Sequence, residues 1–137
     1  MITDKEIEKK IFDILDDCDE LEYENNDEGA ITKIREGWEL LPSPKIEQPM
    51  SYLVLERLFD LCIKYRKFEL ANKWISLIFV SDLIRVDDGD REFIAGKLAY
   101  EQGELDVAKE LFIIANIKSE GDLFKGKEKK KYRDLIK

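Results

Sequence analysis

Three times along this chain an alanine recurs in the same helical setting. Ala30, Ala71 and Ala108 are followed one turn later by Ile34, Ile75 and Phe112, and a further turn on by Gly37, Ile78 and Ala115. Twelve residues before each alanine, on the preceding apolar run, stand Cys18, Phe59 and Gly96. Apolar residues spaced in this way make helices with a buried stripe. Small residues recurring at one register mark where paired helices approach closely, although the middle pair uses Phe59 and Ile78 instead. Such a frame calls for helix-on-helix packing. Strand signals are missing, because the β-branched residues also sit at helical spacing. The expectation is an all-α chain of about three antiparallel helix pairs plus a short C-terminal helix, forming a single domain over residues 1–137.

The punctuation agrees with that frame. Thr3 or Asp4 can cap a first helix carrying Ile7, Ile11, Leu15, Cys18 and Leu21. Asn25, Asn26 and Asp27 form a turn and a fresh cap. The second helix carries Ala30, Ile31, Ile34, Trp38 and Leu41, and stops at Pro42 and Pro44, since the residue before a proline is pushed out of the helical region. After Pro49, residues 50–65 are apolar over much of a helical circumference. Arg66 to Phe68 turn into a fourth helix, and VDDGD at residues 86–90 is a loop. A fifth helix carries Phe93, Ile94, Leu98 and Tyr100, and Gly103 turns into a sixth. The tail, GDLFKGKEKKKYRDLIK, reads as a polar linker and a short basic helix docking through Tyr132 and Leu135. Gly37 sits inside the second helix, where glycine costs about 1 kcal/mol relative to alanine. Its place in the frame makes it a point of close helix contact that tolerates alanine poorly. Trp38 and Trp74, both on second helices, are expected in the core.

At 137 residues a chain buries roughly two thirds of its unfolded surface, so it needs no disulfide or metal staple. Cys18 and Cys62 stand alone, without zinc or redox spacing. The N-terminus is charged and no apolar run is long enough to span a bilayer, which points to a reduced, cytoplasmic protein without a membrane partner. There is no histidine, so the commonest general base and metal ligand is missing. No enzyme activity, catalytic residue, metal or cofactor is expected. The formal net charge is −8, which argues against nucleic acid as a partner.

Asp16, Asp17, Asp19, Glu20, Glu22, Glu24, Asp27 and Glu28 follow one another with no lysine or arginine between them. Such a run is either a solvated helix face or a negative surface for a basic partner. Residues 125–137 are basic; they can bind nucleic acid or anionic lipid, or be neutralised against the acidic first helix or simply solvated.

The frame resembles the tetratricopeptide repeat (TPR), most clearly at Ala30–Ile34–Gly37–Pro42 and Gly96–Tyr100–Gly103–Ala108–Phe112–Ala115. The alanines lie 41 and 37 residues apart, against a usual period of about 34, with the extra residues in loops. GWELLPSPK, and later LAYEQGELDVAKELFIIANIKSEG with its lysine- and tyrosine-bearing tail, are similar to a group of small bacterial TPR-like immunity proteins of polymorphic toxin systems, of the contact-dependent inhibition and Rhs kinds. The basic tail departs from that group. The resemblance implies a TPR-like α-solenoid whose concave side is lined by the first helix of each pair. Carried over position by position, it offers Leu15, Asp19, Glu22 and Tyr23, then Glu56, Arg57, Asp60 and Lys64, then Phe93, Lys97, Tyr100 and Glu101 as partner-binding residues. For Phe93 and Tyr100, packing between repeats is the competing role. The implied function is neutralisation of a cognate, basic toxin domain, such as a nuclease, by covering its active or substrate-binding face. The alternative is a scaffold or chaperone holding a short peptide.

Overall fold

The computed structural model describes residues 4–81 and 88–137. Thr3, one of the two candidate first caps, and residues 83–87 of the loop before Asp90 lie outside the described residues. The described chain is helical and contains no strand. Seven α-helices run in order: α1 Asp4–Tyr23, α2 Asp27–Leu40, α3 Ser51–Lys64, α4 Phe68–Ile78, α5 Asp90–Glu101, α6 Leu105–Ser119 and α7 Lys130–Leu135. By their internal contacts these residues form two compact units, Met1–Asp82 and Leu83–Lys137.

In the first unit α1 packs on α2, α2 on α3 and α3 on α4. Asn26 caps α2, its side-chain oxygen accepting from the Gly29 N–H at 2.9 Å, and satisfies one of the helix's unpaired N-terminal donors. At the other end Lys45 takes over where the prolines stop the helix. Its amine donates to the carbonyls of Trp38 at 3.1 Å, Glu39 at 3.3 Å and Leu41 at 2.7 Å. The α1 core stripe is Ile7, Ile11, Ile14 and Cys18, with Leu15 and Leu21 only half-buried. Helix α3 is buried on several sides through Tyr52, Val54, Leu55, Leu58, Phe59, Leu61 and Cys62, as its apolar circumference requires. The register found in the sequence is physical: the Cys18 thiol lies 3.5 Å from the carbonyl of Ala30, twelve residues on. Trp38 is buried and meets the half-buried Trp74 edge to face, ring centroids 5.4 Å apart.

Gly37 is buried, but not for the reason its register suggested. A Cβ placed there would meet Ile14 Cγ2 at 3.6 Å and Val54 Cγ2 at 3.9 Å, ordinary van der Waals contact. The side chains of Ile14 and Val54 fill the space against this turn of α2, so the packing leaves room for a methyl group. Gly96 is the glycine that the packing requires. Its Cβ would stand 2.5 Å and 2.6 Å from two ring carbons of Phe112.

In the second unit α5 packs on α6, and the segment after α6 contributes to the same core. Gly89 precedes α5 with φ +84°, and a Cβ there would lie 2.8 Å from the Ala115 carbonyl oxygen. Phe93, Phe112, Phe124 and Tyr132 form one aromatic cluster, with Phe93–Phe124 centroids 5.0 Å apart and Phe112–Tyr132 centroids 5.3 Å apart. The Phe93–Phe124 pair is edge to face, an arrangement that adds to the burial itself. The tail therefore docks as expected, through buried Tyr132 and half-buried Leu135. Arg133 locks it by donating to the carbonyls of Phe124 at 2.6 Å and Gly126 at 2.9 Å.

Candidate functional site

The residues offered by the first unit gather around one arginine. Arg57, on α3, donates to Asp19 Oδ1 at 2.8 Å and reaches the Leu15 carbonyl oxygen at 3.4 Å, both on α1. Glu22 lies between Arg57 at 3.7 Å and Lys64 at 3.5 Å. Leu15, Asp19 and Glu22 thus share a surface with Arg57 and Lys64. There two carboxylates, Asp19 and Glu22, face two cations, Arg57 and Lys64. Asp19 and Glu22 are therefore partly neutralised by cations of their own chain. The physical reason is that α3 places its basic residues one helix away from the acidic end of α1. Glu56 is half-buried and Asp60 exposed on the same helix.

The uncompensated negative charge lies on the outward side of α1. Residues 12, 16, 19, 20 and 23 fall within roughly 100° of one another around a helix of 3.6 residues per turn. They are Phe12, Asp16, Asp19, Glu20 and Tyr23. Phe12 is 47% exposed and Tyr23 91% exposed. Asp16, Glu20, Glu24 and Glu28 are exposed and make no ion pair among the described residues. Asp17 is held by Lys33 at 3.5 Å and Asp27 by Lys67 at 3.5 Å. The surface is thus two exposed aromatic rings about 16 Å apart along the helix, with bare carboxylates between and beside them. Sequence reasoning missed Phe12. The available signal was a large apolar residue one position off the buried stripe of Ile7, Ile11, Ile14 and Cys18.

The residues offered by the second unit are used by its own core. Phe93 is only 5% exposed and sits among Phe112, Phe124 and Tyr132, so it is a core residue and not an accessible contact. Lys97 and Lys129 place their amines 4.7 Å and 5.5 Å from its ring centroid. Tyr100 is half-buried against Tyr132, centroids 5.1 Å apart. Glu101 accepts from the Tyr132 hydroxyl at 2.9 Å and from Lys131 at 2.5 Å. Burial and the Glu101 carboxylate together push the Tyr132 hydroxyl well above its ordinary pKa. Other tail cations pair with Asp122 and Asp134, so carboxylates of the second unit answer much of the tail's charge.

The remaining chemistry is sparse. Burial pushes the Cys18 and Cys62 thiols up to about 11, chiefly by desolvation, which makes them poor nucleophiles at neutral pH. Among the described residues no cluster of cysteine, aspartate and glutamate side chains is arranged to hold a metal ion, and no helix is long and apolar enough to cross a membrane. One open cleft of about 590 Å³ lies between the starts of α2 and α4. Ile31, Phe68 and Leu70 give it apolar walls, and Glu28, Arg66 and Lys67 line its charged part. Comparison of the chain with family models, with curated proteins and with solved structures gave no match.

Proposed function

We propose that this protein is a non-catalytic binding module of TPR-like build, an immunity protein that captures a basic toxin domain, such as a nuclease, on the outward face of α1. The observation that carries the reading is the exposed stripe of Phe12, Asp16, Glu20 and Tyr23, continued by Glu24 and Glu28. Aromatic rings give a protein interface its desolvated anchors. The carboxylates around them supply a field that steers a cationic partner and accelerates encounter. On a nucleic-acid-cleaving toxin they would occupy the positions of displaced phosphates. The similarity of GWELLPSPK and the α5–α6 segment to bacterial immunity proteins supplies the choice of a toxin as the partner.

The test is titration of the full chain, in a calorimeter, with the folded domain encoded directly upstream of its gene. Tight binding weakened by Tyr23→Ala and by raised salt supports the reading. No binding, or binding indifferent to Phe12 and Tyr23, removes the α1 face from consideration. The cleft between α2 and α4 favours a second reading, in which a short peptide lies against Ile31, Phe68 and Leu70. In that case an isolated peptide of the partner would bind as well as the folded domain does, and Phe68→Ala would abolish both.

A further inference from the structure

Part of the tail's positive charge is left unanswered by the second unit. Lys125 holds Asp122, Lys131 holds Glu101, and Lys130 and Lys137 share Asp134. Lys127 and Lys129 make no ion pair among the described residues. Glu128, which stands between them, turns its carboxylate onto Gly126 and pairs with neither. Arg133 donates to two backbone carbonyls, which carry no net charge. Within a chain of formal net charge −8, Lys127, Lys129 and Arg133 thus keep their charges.

Buried rings fix where these cations stand. The Lys129 amine lies 5.5 Å from the Phe93 ring centroid, and Lys97 of α5 brings its amine to 4.7 Å from the same ring. The Lys131 amine is 5.1 Å from the centroid of Tyr132, which packs on Phe93. A ring face attracts a cation without cancelling its charge. Phe93 and Tyr132 are buried, so they form a floor that gathers lysines of two elements, and only the amines face a ligand. Arg133 follows Lys129 by four residues and lies on the same side of the tail helix. It lines an open depression of about 410 Å³ with Lys125, Lys137 and Asn116. The Lys125–Asp122 and Lys137–Asp134 pairs are solvent-exposed, hence weak and open to exchange for a ligand's carboxylates.

Such a surface takes an anion, and its make-up selects the kind. Single-stranded nucleic acid stacks its bases on accessible rings, and these rings are covered. A lipid surface is held by apolar side chains together with cations, and the exposed large apolar residues of the second unit all belong to α6. Duplex nucleic acid and membranes also present a wide field of negative charge that opposes a net acidic chain. A short run of carboxylates meets only the local cations, because screening confines the rest to about 8 Å.

We infer that α5 and the tail form a cationic docking surface for an acidic segment of a partner protein, a run of aspartate and glutamate side chains that pair with Lys127, Lys129 and Arg133. The inference is independent of the α1 reading, because it uses no residue of that face and takes a partner of opposite charge. The probe is a fluorescent oligoglutamate peptide, titrated with the full chain and read by anisotropy. It should bind at low salt and be released as salt rises. Lys127→Glu combined with Lys129→Glu should weaken binding at least about tenfold, and Lys129→Gln alone about two- to fivefold, with the helical circular dichroism unchanged. Lys109→Glu, on α6, should leave binding within about twofold. Glu101→Gln should act in the opposite direction and tighten binding about two- to fivefold, because it removes a negative charge beside Lys131 and keeps an acceptor for the Tyr132 hydroxyl. No binding at low salt overturns the inference, as does an equal loss from Lys109→Glu or a Glu101→Gln protein that binds more weakly. Tighter binding of a single-stranded oligonucleotide of equal charge, or of phosphatidylserine vesicles, overturns it in favour of that ligand. Sedimentation of the chain alone at low salt should show one chain; a larger, salt-sensitive mass would show that the chain's own acidic run takes the surface, and would overturn it also.

Discussion

Two helical glycines make opposite demands, and the difference is measurable. At Gly37 the nearest neighbours of an added methyl group are side-chain carbons at 3.6 Å or more, so Gly37→Ala keeps the packing and removes a propensity cost of about 1 kcal/mol. Its melting temperature should rise by roughly 2–4 °C, and a fall would show that Ile14 or Val54 cannot accommodate the methyl group. At Gly96 the same substitution drives a carbon into the Phe112 ring, which is fully buried and flanked by Phe93, Phe124 and Tyr132. Gly96→Ala should cost about 1–3 kcal/mol and lower the melting temperature accordingly. The two thiols give a pH signature. Each has a folded-state pKa of about 11 against about 8.5 in an open chain. The unfolded chain therefore loses these protons first as pH rises. Their contribution is fully present below about pH 8 and is lost between there and about pH 11, at up to roughly 1.4 kcal/mol per pH unit per thiol. Replacing both cysteines by alanine should flatten the alkaline limb of a stability–pH curve measured by urea unfolding. An unchanged limb would assign that slope to other groups.

Elements were more legible than the contacts between them. The helical periods placed α1 to α6 and the tail helix close to their observed bounds, because one-sided burial imposes the 3.6-residue repeat on the sequence. Asn26 and the prolines after Leu41 mark boundaries for local reasons that a sequence displays. Contacts across elements were legible only where residue type forced them. Cys18 against Ala30 was visible as paired small residues at a fixed offset. Phe93 was not separable from a surface aromatic, because what buries it, Phe124 and Tyr132, comes from 31 and 39 residues later. The α1–α3 bridge was hidden in the same way. Asp19 and Arg57 are 38 residues apart, and a run of eight carboxylates gives no sign of which ones a distant arginine will claim. Arg57 joins two helices through a carboxylate and a backbone carbonyl, and part of its charge is screened by solvent. Arg57→Ala should therefore lower stability by about 1 kcal/mol, read as a shifted urea midpoint. Arg57→Lys should recover only part of that, since both bonds are made by one terminal nitrogen, Nη1, which stands farther out along its side chain than a lysine amine does. Full recovery by lysine would mean that charge alone carries the bridge.

Across the whole molecule the charge is unevenly spread, and this decides which carboxylates can be spent on a partner. Eight acidic residues fall within residues 16–28, while seven of the thirteen residues from 125 to 137 are lysine or arginine. Of the acidic run, Asp17, Asp19, Glu22 and Asp27 already hold cations of the chain. Lysine at Asp19 and Glu22 would crowd Arg57 and Lys64 with like charge and loosen α1 from α3, so lost binding there could reflect lost structure. Asp16, Glu20 and Glu24 offer the cleaner experiment, because they are exposed and hold no cation among the described residues. Changing all three to lysine reverses the local field by about six charges. Folding should survive within about half a kcal/mol per site. Association with a basic domain should slow by at least about tenfold, with the dissociation rate changing far less, since steering acts on encounter. Raised salt should slow the unmodified protein in the same way, because screening shortens the reach of these fields to about 8 Å at physiological ionic strength. A folded triple variant that associates at the unmodified rate would show that the carboxylates are merely solvated. Phe12 and Tyr23 would then have no steering field to act with, and the cleft beside Phe68 would become the surface to test.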